Sequence, residues 1–368
     1  MFITIIAFIV VLSVLVLIHE LGHYLTAKKF GIKVEEFGFG FPPRVLGKKI
    51  GETIYSINLL PVGGFVKLYG EDAAGGGSVK TAKVSKEKWN TKKAFFARPA
   101  WQRATIILAG VVMNFVLAVV LISYLFTFHG VAVPTENIKV VEVVANSPAS
   151  TAGLKKDDLV ISVNSNNIND TDSFVSLTRK SEGKPLVFEI KRNGQVFTKT
   201  ITPRTKFPKG EGPLGVAISN IEIKKYPWYE APFFGTVEAF KFSWLIVKGL
   251  LDMVVNLATG KGFAGVAGPI GVAQLTGQAV SYGFDATLWF VALLSLNLAV
   301  VNVLPIPALD GGRLFFIVIE MITGKKVDSK YETMAHAIGL VVLLGLIVLI
   351  TFFDIMRLVS GQSILPKM

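Results

Sequence analysis

Cysteine is absent from the 368 residues, and histidine occurs only four times, as His19, His23, His129 and His336. Without cysteine there is no disulfide framework, no thiolate nucleophile and no zinc finger, so any metal must be held by His, Asp or Glu. Charge is also scarce: 17% of residues are charged against 51% hydrophobic, and the mean hydropathy is +0.55. That balance excludes an ordinary soluble globular chain and points to a membrane protein. The formal net charge of +12 would suit a nucleic-acid binder if it were spread over a surface. Its excess instead falls in one loop between apolar runs, which is the signature of membrane topology, so no nucleic-acid partner is expected.

Four apolar runs have the length that a membrane-crossing helix needs: about 3–27, 104–128, 286–304 and 336–355. The first has no basic leader and no small-residue cleavage site, so it reads as an uncleaved span. Residues 28–103 carry 15 Lys/Arg against 6 Asp/Glu, whereas residues 129–285 carry 17 against 14. Lys28, Lys29, Lys92, Lys93, Arg98 and Arg103 lie close to the span ends, which assigns the first loop to the cytoplasmic side. The amino terminus and the second loop are then expected outside, and the short loop at 305–335 inside.

Between the spans, residues 52–71 alternate apolar and polar residues around Pro61, Gly63 and Gly64, which predicts a two-stranded, membrane-associated hairpin. Gly75, Gly76 and Gly77 mark a break before the basic stretch 80–93, read as a solvated anchor. The outer loop holds strand candidates at IKVVEVV, DLVISVN, PLVFEIKR and QVFTKTITP around a helical DTDSFVSLTRK. Its segment SPASTAGLKKDDLVISVN resembles the PDZ-domain signature, although Asp157 stands where that signature usually has Gly. PDZ domains take up extended peptides by strand addition. Residues 227–257 are aromatic and interrupted by Glu238, Lys241, Lys248 and Asp252, which predicts an interfacial helix rather than a fifth span. The expected architecture is a polytopic α-helical membrane protein with about four transmembrane helices, the hairpin and an inserted extracytoplasmic α+β PDZ domain. Its parts are 1–128 (two spans and the hairpin loop), 129–206 (the PDZ-like domain), 207–285 (linker and interfacial helix) and 286–368 (two further spans).

HELGH at 19–23 carries the chemistry. Residues four apart share a helix face, so His19 and His23 can aim at one zinc ion while Glu20, beside them, serves as a base. Two histidines and a glutamate within an apolar run are costly unless they are paired or bind metal. A catalytic zinc with three protein ligands needs one more. NVLPIPALDGG (302–312) supplies Asp310, because a third span running inward and broken by Pro305 and Pro307 brings that carboxylate to the depth of the first motif.

Together these motifs resemble the site-2 protease family of intramembrane zinc metalloproteases, and within it the bacterial regulator of sigma-E protease group. That family pairs HExxH in the first span with NxxPxPxLDG in the third. FGFGFPP (37–43), AGPIG (267–271) and DGGRLFF extend the likeness along nearly the whole chain. This chain departs from the family in having Gly110-Val111 before Asn114, where a Gly-Pro is usual, and room for one PDZ domain where relatives can carry two. The resemblance implies Zn2+ as cofactor and a multi-pass protein of the bacterial cytoplasmic (inner) membrane with its active site near the cytoplasmic side. It also implies cleavage of single-span membrane proteins, such as anti-sigma factors or signal-peptide remnants, within the lipid bilayer. By the same resemblance Asn302 and the hairpin with Gly63 and Gly64 contact substrate. Two other readings compete: a zinc-binding scaffold that presents a PDZ domain, and a metal transporter using His19, His23 and Asp310.

Overall fold

The computed structural model describes residues 2–71, 90–259 and 267–360. The Gly75–Gly77 break and most of the basic stretch lie outside the described residues. Two units are formed, one from residues 1–127 and 227–368 and the other from 128–226.

In the first unit, α1 (Phe2–Lys29) is followed by β1 (Val34–Ile50), β2 (Thr53–Leu68) and α2 (Ala100–Phe128). After the second unit come α5 (Ala231–Ala258), α6 (Pro269–Ser281), α7 (Phe284–Val303), α8 (Asp310–Thr323) and α9 (Ser329–Val359). Among the described residues, four helices are long and apolar enough to cross a membrane: α1, α2, α7 and α9. They fall on the four apolar runs. At 1.5 Å per residue, the 28 residues of α1 extend over about 42 Å.

The hairpin differs from the expectation. Residues 52–71 do not pair with themselves; their strand β2 pairs with β1, so the ribbon covers 34–68. Both strands bend back, and the short run Phe37–Phe39 has partners on two sides: Phe37 faces both Val66 and Tyr55, and Phe39 faces both Gly64 and Ile57. Its tip is apolar and open, with Phe41, Val45, Leu46, Leu59 and Leu60 exposed, and the sheet lies against α1, where Ser13 Oγ donates to Pro61 O at 3.2 Å.

Two helices had no counterpart in the sequence reading. The 305–335 loop contains α8, and the 207–285 segment contains α6. Helix α5 follows the expected 227–257 closely, but it also packs by a stripe of small residues. Ala231, Gly235 and Ala239 are buried, and a Cβ on Gly235 would lie 2.6 Å from Ser123 Oγ of α2. Small residues four apart let helix backbones approach where hydrophobic burial gives no drive.

The second unit is built from β3 (Val131–Val143), α3 (Pro148–Thr151), β4 (Leu159–Val163), β5 (Asn166–Asn167), α4 (Thr171–Lys180), β6 (Leu186–Arg192), β7 (Gln195–Ile201) and β8 (Val216–Lys224). Its main strands run in the order β7-β6-β4-β3-β8. The unit therefore continues past residue 206, because β8 completes the sheet against β3, with Val140 opposite Ile218. Ile138, Val140, Val160, Phe174, Phe188 and Ile190 form its core. Asp157 has φ +72°, a left-handed conformation that favours glycine and that Asp tolerates better than most residues; Lys139 Nζ holds its carboxylate at 2.8 Å. Asp158 is fully buried and accepts from Lys155 N at 2.8 Å and from the Arg192 guanidinium at 2.6 and 2.7 Å.

Candidate active site

His19 and His23 lie on one face of α1, both buried. Their Nε2 atoms are 3.1 Å apart, and Asp310 Oδ2 is 2.8 Å from the first and 3.3 Å from the second. Among the described residues this is the group of His, Asp and Glu side chains whose ligand atoms converge enough to hold a metal. Zinc bonds of 2.0–2.1 Å in a tetrahedron require ligand atoms about 3.4 Å apart. Two sides of the observed triangle, 3.1 and 3.3 Å, are close to that and the third, 2.8 Å, is shorter; with an N2O donor set that suits zinc, the residues fit the ion.

The second long helix shapes this site. Gly22, in the middle of HELGH, lets α1 touch α2, since a Cβ there would sit 2.3 Å from Ala109 O. At that crossing, α2 offers one residue per turn to the histidines. Ile106 O accepts the His23 Nδ1–H at 2.8 Å. Gly110 leaves room for the rings, because a Cβ would be 2.4 Å from His23 Nε2. Asn114 reaches His19 Nδ1 at 3.2 Å. The spacing 106, 110, 114 is a helix face. Sequence reasoning treated Gly110 and Asn114 only as a family departure, although a Gly and a buried Asn four residues apart in an apolar run were the available signal.

Asp310 does not lie within α7 but opens α8, after a loop through Pro305 and Pro307. Two devices hold that loop. A Cβ on Gly311 would collide with Leu304 O at 1.9 Å, and one on Gly312 with Ile306 O at 2.5 Å, so both glycines are needed for the helix to fold back on the loop. From α9, His336 Nδ1 accepts the Ala308 N–H at 2.9 Å, at a residue whose φ is +76°. Such conformations persist only where surrounding contacts over-determine them. His336, which carried no role in the sequence reading, supplies one of those contacts. Burial pushes the Asp310 carboxyl pKa up, but the imidazoles of His23 and His19 outweigh it and hold the pKa well below the usual carboxylate range.

Glu20 faces a cavity of about 230 Å³ lined by His23, Val66, Leu68, Glu71, Phe95, Ile106, Ile107, Ala308, Leu309, Asp310 and Arg313. The Val66 N–H of β2 donates to Glu20 Oε2 at 3.0 Å. Glu71 is tied to Arg313 of α8 and accepts from Leu68 N at 3.2 Å. The sheet is thus fastened at two points to the helices bearing Glu20 and Asp310. Gly63 and Gly64 lie farther along β2, where a Cβ on Gly64 would be 2.9 Å from Leu17 Cδ2. Asn302 is buried in the last turn of α7 and does not line the cavity.

The sequence model of peptidase family M50 matches residues 7–346. A Clostridium perfringens relative named as a zinc metalloprotease is 37% identical over 93% of this chain and 96% of its own length. The zinc metalloprotease RasP of Geobacillus kaustophilus is 33% identical over 96% of this chain and 98% of its own. The regulator of sigma-W protease RasP of Bacillus subtilis is 30% identical, covering 96% and 99%.

Proposed function

Since the chain belongs to peptidase family M50 and is a zinc metalloendopeptidase of the site-2 protease type, we propose that it cuts single-span membrane proteins within the bilayer, with His19, His23 and Asp310 holding zinc and Glu20 as general base. The observation that carries this reading is the convergence of Asp310 Oδ2 on two imidazole nitrogens contributed 291 and 287 positions earlier. Zinc bound there supplies Lewis acidity to a water and to the scissile carbonyl. Glu20, held beside the cavity by the Val66 N–H, takes the water's proton and passes it to the leaving amine. Leu68, Phe95, Ile106 and Leu309 give the same cavity an apolar part beside Glu20, His23 and Asp310, which would accept an apolar side chain.

A transmembrane helix presents amides already hydrogen-bonded to one another, so the substrate must unwind before attack. The β1–β2 ribbon, with its exposed apolar tip, would hold the unwound segment extended, with Gly63 and Gly64 along the strand and Asn302 near the substrate backbone. The basic loop residues favour a cytoplasmic location for this side of the molecule and an extracytoplasmic one for the 128–226 unit, whose strand-and-helix content and SPASTAGL segment suit a PDZ-like module. Because the B. subtilis relative is named as a regulator of sigma-W, anti-sigma factors head the candidate substrates, with signal-peptide remnants as the second class. The test is co-expression with a tagged single-span substrate already truncated on its outer side. Wild type should yield a shortened product, and Glu20→Gln and Asp310→Ala should yield none. Cleavage by Glu20→Gln would discard Glu20 as the base, and a wild type that binds zinc but yields no product, behaving like Glu20→Gln, would favour a zinc-binding scaffold.

A further inference from the structure

Asn114 is fully buried, and its carboxamide is the group that meets His19 Nδ1, at 3.2 Å through Nδ2. Its Oδ1 has no hydrogen-bond partner among the described residues. The companion histidine shows what is at stake. His23 gives its Nδ1 proton to Ile106 O, which leaves its Nε2 lone pair free to face the other ligand atoms. For His19 the Nδ1 neighbour is the Asn114 carboxamide, while its Nε2 lies 2.8 Å from Asp310 Oδ2. Nε2 can bind a metal only if the ring proton sits on Nδ1, and that tautomer needs an acceptor beside Nδ1.

A half-turn of the Asn114 carboxamide exchanges its oxygen and nitrogen. Oδ1 then accepts the Nδ1 proton, as Ile106 O does for His23, and Nε2 is released. The backbone of Asn114 is already anchored, since its carbonyl accepts from Ser295 Oγ at 2.8 Å, so the swap needs no helix movement. We propose that Asn114 is the positioning residue for the first metal ligand, with its side-chain oxygen selecting the His19 tautomer that binds zinc. Ile106, Gly110 and Asn114 then form one functional face of α2: an acceptor for each histidine, with space between them for the rings.

This inference rests on the zinc site proposed above, and the experiment separates the two. Zinc affinity of the purified full chain in detergent is measured by competition with a chromophoric chelator for wild type, Asn114→Leu and Asn114→Asp, with the visible spectrum of the cobalt-loaded forms as a second readout. Asn114→Leu should bind zinc 10–100-fold more weakly, the usual cost of losing a hydrogen-bond partner of a ligating histidine. Asn114→Asp, which offers acceptor oxygens, should bind at or above wild-type affinity and keep the wild-type cobalt spectrum. If Asn114→Asp weakens zinc as much as Asn114→Leu, the amide acts as donor and the proposal is wrong. Unchanged affinity in both variants overturns it as well. A wild-type protein with no zinc affinity overturns the metal site itself.

Discussion

Both units bury an apolar core, and they differ in the polar groups enclosed beside it. In residues 128–226 the interior is Ile, Val, Leu and Phe, and β6 alternates buried and exposed residues along its length. In the other unit the long helices turn Val341, Val348 and Phe352 outward and enclose His19, His23, Asn114, Ser295 and Asn302. A chain in water gains by hiding apolar area. A chain in lipid gains nothing from that and must instead satisfy every polar group internally. A buried polar residue therefore means different things in the two places. Asp158 in the second unit is a structural clamp on Arg192, whereas the buried histidines of α1 are the metal ligands proposed here.

The sharpest way to break this contrast is at Glu20. Glu20→Gln keeps size and the acceptor for Val66 N–H but removes the base, so turnover should fall roughly 10²–10⁴-fold while zinc content and thermal stability stay at wild-type level. A parallel loss of stability would make Glu20 a clamp like Asp158. For Asp158→Asn the outcome is reversed: cleavage by the intact membrane unit persists, and the 128–226 unit loses about 3 kcal/mol because Arg192 is left without its carboxylate, as read from hydrogen exchange of β4 and β6. The same pair sets a pH response. Burial raises the Asp158 pKa, but Arg192 and the Lys155 amide outweigh it, so the folded pKa is lowered. The clamp is then intact at neutral pH and is lost as pH falls below about 4, through the folded value.

Paired lysine substitutions test the outward faces. Val348 and Val196 are similarly exposed, at 69% and 59%. Val348→Lys should disfavour membrane integration of α9 by about 2–3 kcal/mol, seen as alkali-extractable protein, whereas Val196→Lys should change stability by less than about 0.5 kcal/mol. At the site itself, a smaller effect than at Glu20 is expected for His336→Leu. It leaves the Ala308 amide without an acceptor, at a cost of about 1–2 kcal/mol, and should lower turnover several-fold with zinc still bound.

The four long helices and the shared face of His19 and His23 were legible in the sequence because each is a local signal: an unbroken apolar run, or side chains fixed by helix spacing. The strand partner of residues 53–68 was not, since pairing is a long-range event and β1 carries Pro42, Pro43 and several glycines that read as loop. β8 escaped for a related reason: it follows the Pro- and Gly-rich segment 203–215, and what makes it a strand is its seat beside β3. Helix α8 was obscured by its start at Asp310-Gly311-Gly312, a sequence that reads as a turn until the glycines are seen packed against Leu304 and Ile306. The roles of Gly110, Asn114 and His336 depend wholly on what other helices bring to them.

The most direct test is zinc K-edge X-ray absorption on the purified full chain, wild type beside Asp310→Ala. One zinc per chain, with two imidazole nitrogens and one carboxylate oxygen at about 2.0–2.1 Å, and loss of the oxygen contribution or of the metal in the variant, is the predicted result. A wild-type zinc shell lacking either the two imidazoles or the carboxylate, or one unchanged by Asp310→Ala, would contradict it.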